Sequence, residues 1–151
     1  MNRVLVAAAL CASASLAFAQ QTDRLAGTWR LDVAQSKYEV AVPPKSQTTT
    51  LHGMDGGLHE VVERVNADGT TTRWEVMARY DGQDYPVKGD PSRDTVAMQR
   101  VDPSTVNIVN KKAGAIVSRM QIAVAADGKS RTNTVTDPSG KTTAVLVFDR
   151  R

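Results

Sequence analysis

Apolar and polar residues alternate along most of the chain, in short runs rich in valine, threonine and isoleucine. A repeat of two residues is typical of β-strands that bury one face. Asp-Gly pairs recur between the runs, and they tolerate the positive φ angles of tight hairpin turns. No stretch after Ala19 has a helical repeat. The pattern predicts ten strands, at residues 28–34, 46–54, 58–66, 70–80, 84–88, 94–101, 105–111, 115–125, 130–136 and 141–149.

Short strands joined by successive hairpins are typical of an up-and-down β-barrel or of a sandwich. Of these two all-β architectures we predict the barrel, a single up-and-down antiparallel barrel of about 8–10 strands. The longest irregular connection is 35–45, which contains Pro43 and Pro44. No long helix is expected in the mature chain.

The first residues have the features of a secretory signal peptide. Arg3 supplies a positive charge, 4–16 form an apolar run, and Ala17-Phe18-Ala19 is a small-x-small cleavage site. We therefore predict a signal peptide at 1–19, a mature domain at 20–151, and a periplasmic or secreted protein. The only cysteine, Cys11, lies inside the signal, so no disulfide and no thiol chemistry are expected in the mature chain.

The formal net charge is +3, and basic and acidic residues are interspersed along the chain. This distribution is typical of a solvated surface and argues against a nucleic-acid partner. The apolar run of the signal is too short for a membrane span. We expect a monomer with no cofactor and no membrane span.

Strand alternation assigns residues to the inside of the barrel. In the fourth run Trp74, Val76, Ala78 and Tyr80 share the apolar face. A two-residue turn at Asp68-Gly69 places two polar residues of the third run inward as well, with Glu63 opposite Trp74 and His59 opposite Ala78. The same register assigns Glu60 and Arg64 to the outer face. A two-residue turn at Asp81-Gly82 similarly places Tyr85 opposite Ala78.

The later strands add further polar residues to the interior. The Asp127-Gly128 turn sets Arg131 opposite Val124 and Asn133 opposite Ile122. Arg100 points inward with its strand neighbours Val96 and Met98. Because unpaired buried charges are costly, these residues need partners, water or a ligand. The predicted ligand-binding residues are Arg131, Arg100, Tyr80, Tyr85, His59, Glu63, Trp74 and Asn133.

Two chemical roles follow for these residues. Arg100 and Arg131 can hold a ligand carboxylate, with Tyr80 or Tyr85 adding a hydroxyl donor. The alternative is an internal network with Glu63 that serves structure only. Most of the polar residues lie near turns that share one end of the barrel, so the ligand's polar head is expected at that end.

Metal binding and catalysis receive weaker support from the sequence. A two-residue turn at Asp55-Gly56 pairs His52 with His59, within chelating reach, and Glu63 is a third candidate ligand. Two histidines without a motif are weak candidates, and we predict no metal. His59 and Glu63 could instead act as an acid–base pair in an isomerase or hydratase. Neither a nucleophile elbow nor a phosphate loop occurs, and no catalytic residue is assigned.

The stretch Gly27-Thr28-Trp29 at the start of the first strand resembles the Gly-x-Trp signature of the calycins, the lipocalin and fatty-acid-binding barrels. The resemblance implies that Gly27 and Trp29 lie at the closed end of the barrel and that Arg150 packs on the tryptophan. The chain departs from those families because 35–45 is too short for a two-helix lid and no helix follows the barrel. It is more similar to small, uncharacterised exported lipocalin-like proteins of bacteria.

These observations together favour an exported binding protein for a small hydrophobic or amphipathic ligand, which the arginines suggest carries a carboxylate. One alternative is a structural or interaction protein whose barrel is filled by its own side chains. The second alternative is the barrel isomerase or hydratase that uses His59 and Glu63. The resemblance places the entrance at the end opposite Trp29.

Overall fold

The computed structural model describes residues 23–151 of the chain, so the predicted signal peptide at 1–19 lies outside the described residues. The described chain is all-β, and it contains no helix long and apolar enough to span a bilayer. Its ten strands confirm the predicted number. They are β1 (Gly27–Tyr38), β2 (Ser46–Met54), β3 (Gly57–Val65), β4 (Thr71–Arg79), β5 (Asp81–Lys88), β6 (Thr95–Asp102), β7 (Thr105–Lys112), β8 (Ala115–Val124), β9 (Ser130–Thr136) and β10 (Thr142–Arg150).

The strands form one closed antiparallel barrel in which every strand pairs with its neighbours in sequence. β1 and β10 complete the ring, with Trp29 opposite Arg150. Closure leaves no strand edge within 23–151 free to pair with another chain. Successive hairpins alternate between the two ends. We call the end with the β2–β3, β4–β5, β6–β7 and β8–β9 turns the closed end, and the other the open end.

The first strand is longer than predicted, because it continues through a bulge to Tyr38 rather than ending at Ala34. At the bulge, Asp32 accepts hydrogen bonds from the backbone and side chain of Gln35. The hydroxyl of Ser36 donates to the Asp32 carbonyl and accepts from the backbone of Val147 on β10. These side chains hold the irregular segment against β10, so the irregular connection shortens to 39–45.

The apolar core fills the half of the barrel near the closed end. Every strand except β9 contributes buried or half-buried apolar side chains to it. Where a strand contributes several, they lie two residues apart, as expected for a strand with one buried face. The fully buried large side chains include Trp29, Phe148, Leu25, Leu58, Val62, Val76, Val96 and Val106. The predicted inward positions on β4 and β6 agree with this core.

Three turns have the predicted register. The Asp81-Gly82 turn pairs Val76 with Val87, which is the register predicted to set Tyr85 opposite Ala78. The Asp55-Gly56 turn pairs His52 with His59. The Asp127-Gly128 turn pairs Val124 with Arg131 and Ile122 with Asn133, so both polar side chains of β9 point inward.

The register predicted for the Asp68-Gly69 turn is wrong by one residue. The backbone N–H of Asn66 donates to the carbonyl of Thr70, which leaves a three-residue loop with Gly69 at a φ of +92°. Three-residue hairpin loops commonly end in a residue of this left-handed conformation. A one-residue shift moves every side chain of β3 to the opposite face. Trp74 therefore lies opposite Val62, and the interior side chains of β3 are Leu58, Glu60, Val62 and Arg64.

Candidate functional site

The closed end is sealed by residues 23–26 and by the Gly-x-Trp strand. Trp29 is fully buried, and its indole N–H donates to the carbonyl of Leu25 at 2.8 Å. The Arg150 guanidinium lies 4.2 Å from the centre of the Trp29 ring. It also donates to the carbonyls of Arg24, Ala26 and Gly128. A Cβ at Gly27 would lie 2.5 Å from Nη1 of Arg150, so this arrangement requires glycine there.

Tyr80 and Arg100, two predicted ligand-binding residues, are held together at the closed end by Asp23. The Tyr80 hydroxyl donates to Oδ2 of Asp23 at 2.5 Å, and Arg100 forms an ion pair with the same oxygen. The Arg100 guanidinium stacks 4.0 Å from the centre of the Tyr80 ring. Burial and the hydrogen bond to Asp23 raise the pKa of Tyr80. These side chains satisfy one another, and they do not line the interior cavity described below.

Tyr85 packs against the core with its ring, but its hydroxyl donates to exposed Asp81 at 2.8 Å. It therefore also lies outside the cavity.

The expectation that His59 and Glu63 point inward is wrong, because the three-residue loop places both on the outer face of β3. Nε2 of His59 lies 2.7 Å from Oε1 of Glu75, and Glu63 is exposed beside Arg73. The His52 ring lies beside that of His59, with 5.8 Å between centroids. Within 23–151 no group of three or more histidine, cysteine or acidic side chains is placed to hold a metal. Because His59 and Glu63 lie on the outer face of β3, neither residue lines the interior cavity that an isomerase or hydratase would need.

The interior cavity lies in the half of the barrel toward the open end and has a volume of about 360 Å³. Its lining joins both sides of the barrel and the β5–β6 loop. Most lining residues are polar, while β8, β9 and β10 contribute an apolar wall. The residues are Gln47, Thr49, Glu60, Arg64, Trp74, Asp90, Ser92, Arg93, Asn110, Val117, Ser118, Met120, Arg131, Asn133, Val135 and Leu146. Of the predicted ligand-binding residues, Arg131, Trp74 and Asn133 meet here.

Arg131 is the most deeply buried charge at the cavity, with 1% of its surface exposed. Its guanidinium lies 4.5 Å from the Phe148 ring centre and 5.2 Å from that of Trp29. Nε and Nη1 have no hydrogen-bond partner among the described residues. Burial lowers the pKa of Arg131 to about 10, with attraction from Glu60 opposing this and repulsion from Arg150 adding to it. The group therefore stays charged at neutral pH and has free donors.

Three further polar groups border the cavity without a partner in the described chain. Glu60, 9% exposed, makes no hydrogen bond or ion pair with another described residue. Oδ1 of Asn133 and Nε1 of Trp74 are buried and unpaired. Buried polar groups in folded proteins normally find partners, and an unpaired one costs about 1–3 kcal/mol. A concentration of such groups around one cavity is typical of a binding site.

The cavity is partly covered at the open end by the β5–β6 loop. Arg93 donates from Nε to Asp90 at 2.9 Å and from Nη1 to Oδ1 of Asn110 at 2.5 Å.

Arg64 stacks 4.8 Å from the Trp74 ring centre and donates to Gln47 at 2.8 Å. Burial lowers the pKa of Arg64. The cavity thus holds three guanidinium groups and two carboxylates, of which one carboxylate is already paired with Arg93.

The larger concavity, about 660 Å³, is an open groove on the outside of the closed end. It is lined by the sealing segment and the neighbouring ends of β1 and β2, including Asp23, Arg24 and His52. Arg150 and Asp23 in this groove already have protein partners. We therefore place the candidate site in the smaller interior cavity.

Sequence reasoning missed Glu60, Arg64, Arg93 and Gln47. The first two were assigned to the outer face by the register error, and a three-residue loop at Ala67–Gly69 would have placed both correctly. Arg93 lies in a loop, where strand alternation gives no information about direction.

Comparison of the chain with protein-family models and with curated proteins finds no match in either. The closed ten-stranded antiparallel barrel is compatible with a calycin-like fold.

Proposed function

We propose that this protein binds a small amphipathic molecule in the interior cavity and holds its acidic group at Arg131. The observation that carries the proposal is a guanidinium that is 1% exposed, borders the cavity and has unpaired Nε and Nη1 donors. A carboxylate fits this need because its oxygens accept charge-assisted hydrogen bonds from guanidinium N–H groups. Such charge-assisted bonds are stronger than bonds between neutral groups.

The shape and lining of the cavity support a small ligand rather than a long acyl chain. A volume of about 360 Å³ lies at the lower end of the usual range for small-molecule sites. The β8–β10 wall, with Val117, Met120, Val135 and Leu146, supplies apolar contact for a short hydrocarbon part. A long acyl chain would also cover the polar residues of the lining without giving them hydrogen-bond partners.

The proposal differs from the sequence-based expectation in how the acid is held. Arg100 and Tyr80 are engaged with Asp23 at the closed end. Arg131 thus acts without Arg100, and Asn133 and Trp74 are its neighbours in the lining.

We also propose that the protein is an exported member of the lipocalin-like class and works in the periplasm or outside the cell. The signal-like residues 3–19 and the Gly27-Thr28-Trp29 stretch support this assignment. N-terminal sequencing of protein from the periplasmic fraction tests export, with Gln20 as the expected first residue. A chain that retains Met1 and stays in the cytoplasm would contradict it.

The carboxylate assignment predicts that Arg131→Met weakens binding of an acid far more than of its alcohol. We expect hexanoate to lose about tenfold to a hundredfold in affinity, because a hydrogen bond to a charged group contributes about 1.5–3 kcal/mol. Hexanol should change little, since it does not use the charge. Isothermal titration calorimetry of both probes against both proteins measures the difference.

Arg119→Met is the matched control, because Arg119 is exposed on the outer face of β8. It should leave the affinity for both probes unchanged. Equal losses for hexanoate and hexanol in Arg131→Met would refute the carboxylate assignment. Absence of binding by either probe to the wild type would favour the filled-barrel alternative, in which the side chains around the cavity serve structure only.

A further inference from the structure

The cavity also contains a negative charge that has no partner in the described chain. Glu60 is 9% exposed, lines the same cavity as Arg131 and has no protein partner within 23–151. Its strand, β3, is four places from β9 around the barrel, so the two charges approach the cavity from opposite sides. Buried Arg–Glu pairs usually form direct contacts, because the attraction must offset the loss of hydration. Here the two groups form no ion pair with each other, although attraction from Glu60 opposes the lowering of the Arg131 pKa.

Glu60 is not explained by a ligand that carries only an acid group. A lone carboxylate bound at Arg131 would meet a second carboxylate in the same cavity, and like charges in a poorly solvated site repel strongly. An acyl chain would cover Glu60 without giving it a donor, which is costly for a buried ion. A ligand that donates a hydrogen bond to Glu60 removes both penalties.

We propose that the ligand is a small acid that also carries an ammonium or hydroxyl group, as in an α-amino or α-hydroxy acid with an apolar side chain. This inference rests on the proposed function, since it assumes that the acid binds at Arg131. The acid group pairs with Arg131, the ammonium or hydroxyl group donates to Glu60, and the hydrocarbon part packs on the β8–β10 wall. All three contacts use groups that border the one cavity.

Of the two acidic side chains that line the cavity, only Glu60 lacks an ionic partner in the described chain. Asp90 is paired with Arg93 at 2.9 Å, and Arg93 is further bonded to Asn110. Of the charges that line the cavity, Arg131, Arg64 and Glu60 remain without an ionic partner in the described chain. A zwitterion or a hydroxy acid leaves no like-charge contact at Glu60. A dicarboxylate would instead place a second negative charge close to it.

The test compares three six-carbon probes by calorimetry: hexanoate, 2-hydroxyhexanoate and 2-aminohexanoate. We expect wild-type protein to bind 2-aminohexanoate about tenfold more tightly than hexanoate, with 2-hydroxyhexanoate between them. Glu60→Gln should abolish this preference, because it removes the charge while keeping the shape of the side chain. Hexanoate should bind the variant at least as well as the wild type.

Glu63→Gln is the matched control, because Glu63 lies on the same strand but is exposed on the outer face. It should retain the wild-type preference. Wild-type protein that binds hexanoate as tightly as 2-aminohexanoate, or more tightly, overturns this inference but not the proposed function. That measurement uses the wild type only, so it does not depend on the folding of a variant. A preference that persists in Glu60→Gln overturns it as well. Absence of binding by all three acids overturns the proposed function, and this inference with it.

Discussion

Trp29→Ala should destabilise the protein by about 3–5 kcal/mol, the largest loss expected from a single truncation in this barrel. Trp29 is fully buried and donates its indole N–H to Leu25, which seals the closed end. Its ring also contacts the guanidinium groups of Arg150 and Arg131. The substitution therefore opens a cavity and removes the surface that supports the buried Arg131 and the half-buried Arg150. Urea denaturation followed by circular dichroism measures the loss without relying on tryptophan fluorescence.

Trp74→Ala is the matched control for this prediction. Trp74 is also buried, but it borders the interior cavity and its indole N–H has no partner in the described chain. Fewer contacts are lost there, so the destabilisation should be clearly smaller. A loss below about 1 kcal/mol for Trp29→Ala, or a loss no greater than that of Trp74→Ala, would show that the closed end does not hold the barrel together.

The double variant Arg131→Met/Glu60→Gln should be at least as stable as the wild type, with a gain of up to about 4 kcal/mol. Replacing a buried ion pair with well-packed hydrophobic side chains of similar volume is often neutral or stabilising, because the loss of hydration outweighs the attraction between the charges. That balance should favour the variant here, since the two groups make no direct contact with each other. The low pKa of Arg131, about 10, has the same physical cause.

Urea denaturation in the absence of added ligand measures this effect, and Arg119→Met/Glu63→Gln is the control. Both control residues lie on the outer surface, where such changes usually alter stability by less than about 0.5 kcal/mol. Destabilisation of the Arg131/Glu60 variant by more than about 1 kcal/mol would mean that these charges are a structural network. A stable variant with no affinity for acids would mean that the charges serve binding at the expense of stability.

The strand pattern and the two-residue turns were enough to predict most of the fold. All ten strands were expected, and the Asp127-Gly128 turn placed Arg131 and Asn133 inside the barrel with the correct partners. This succeeds because side chains alternate strictly along a strand, so a known turn fixes the direction of every residue.

The same rule explains the main error at the site. Asp68-Gly69 has the sequence of a two-residue turn, but Asn66 and Thr70 close a three-residue loop. One residue of difference exchanged the two faces of β3. Glu60 and Arg64 were thereby assigned to the outside, and His59 and Glu63 to the inside. Turn length depends on which backbone pair closes the loop, and the Asp-Gly pair alone does not determine that.

The roles of Tyr80 and Arg100 depended on a residue outside the periodic strands. Asp23 precedes β1, where no alternation indicates its direction, yet it bonds to both side chains. Inward direction was predicted correctly for Arg100, but its availability to a ligand was not. Whether a buried charge is paired depends on tertiary contacts, which strand alternation does not describe.

The central claim is that Arg131 offers its unpaired Nε–H to an acid inside the barrel, and nuclear magnetic resonance tests it most directly. In ¹⁵N-labelled protein the Nε–Hε signal of Arg131 can be assigned by its absence from Arg131→Met. We predict that hexanoate shifts this signal saturably, that hexanol leaves it in place, and that the Arg119 signal does not move with either. An Arg131 signal that stays unchanged at saturating hexanoate would contradict the claim.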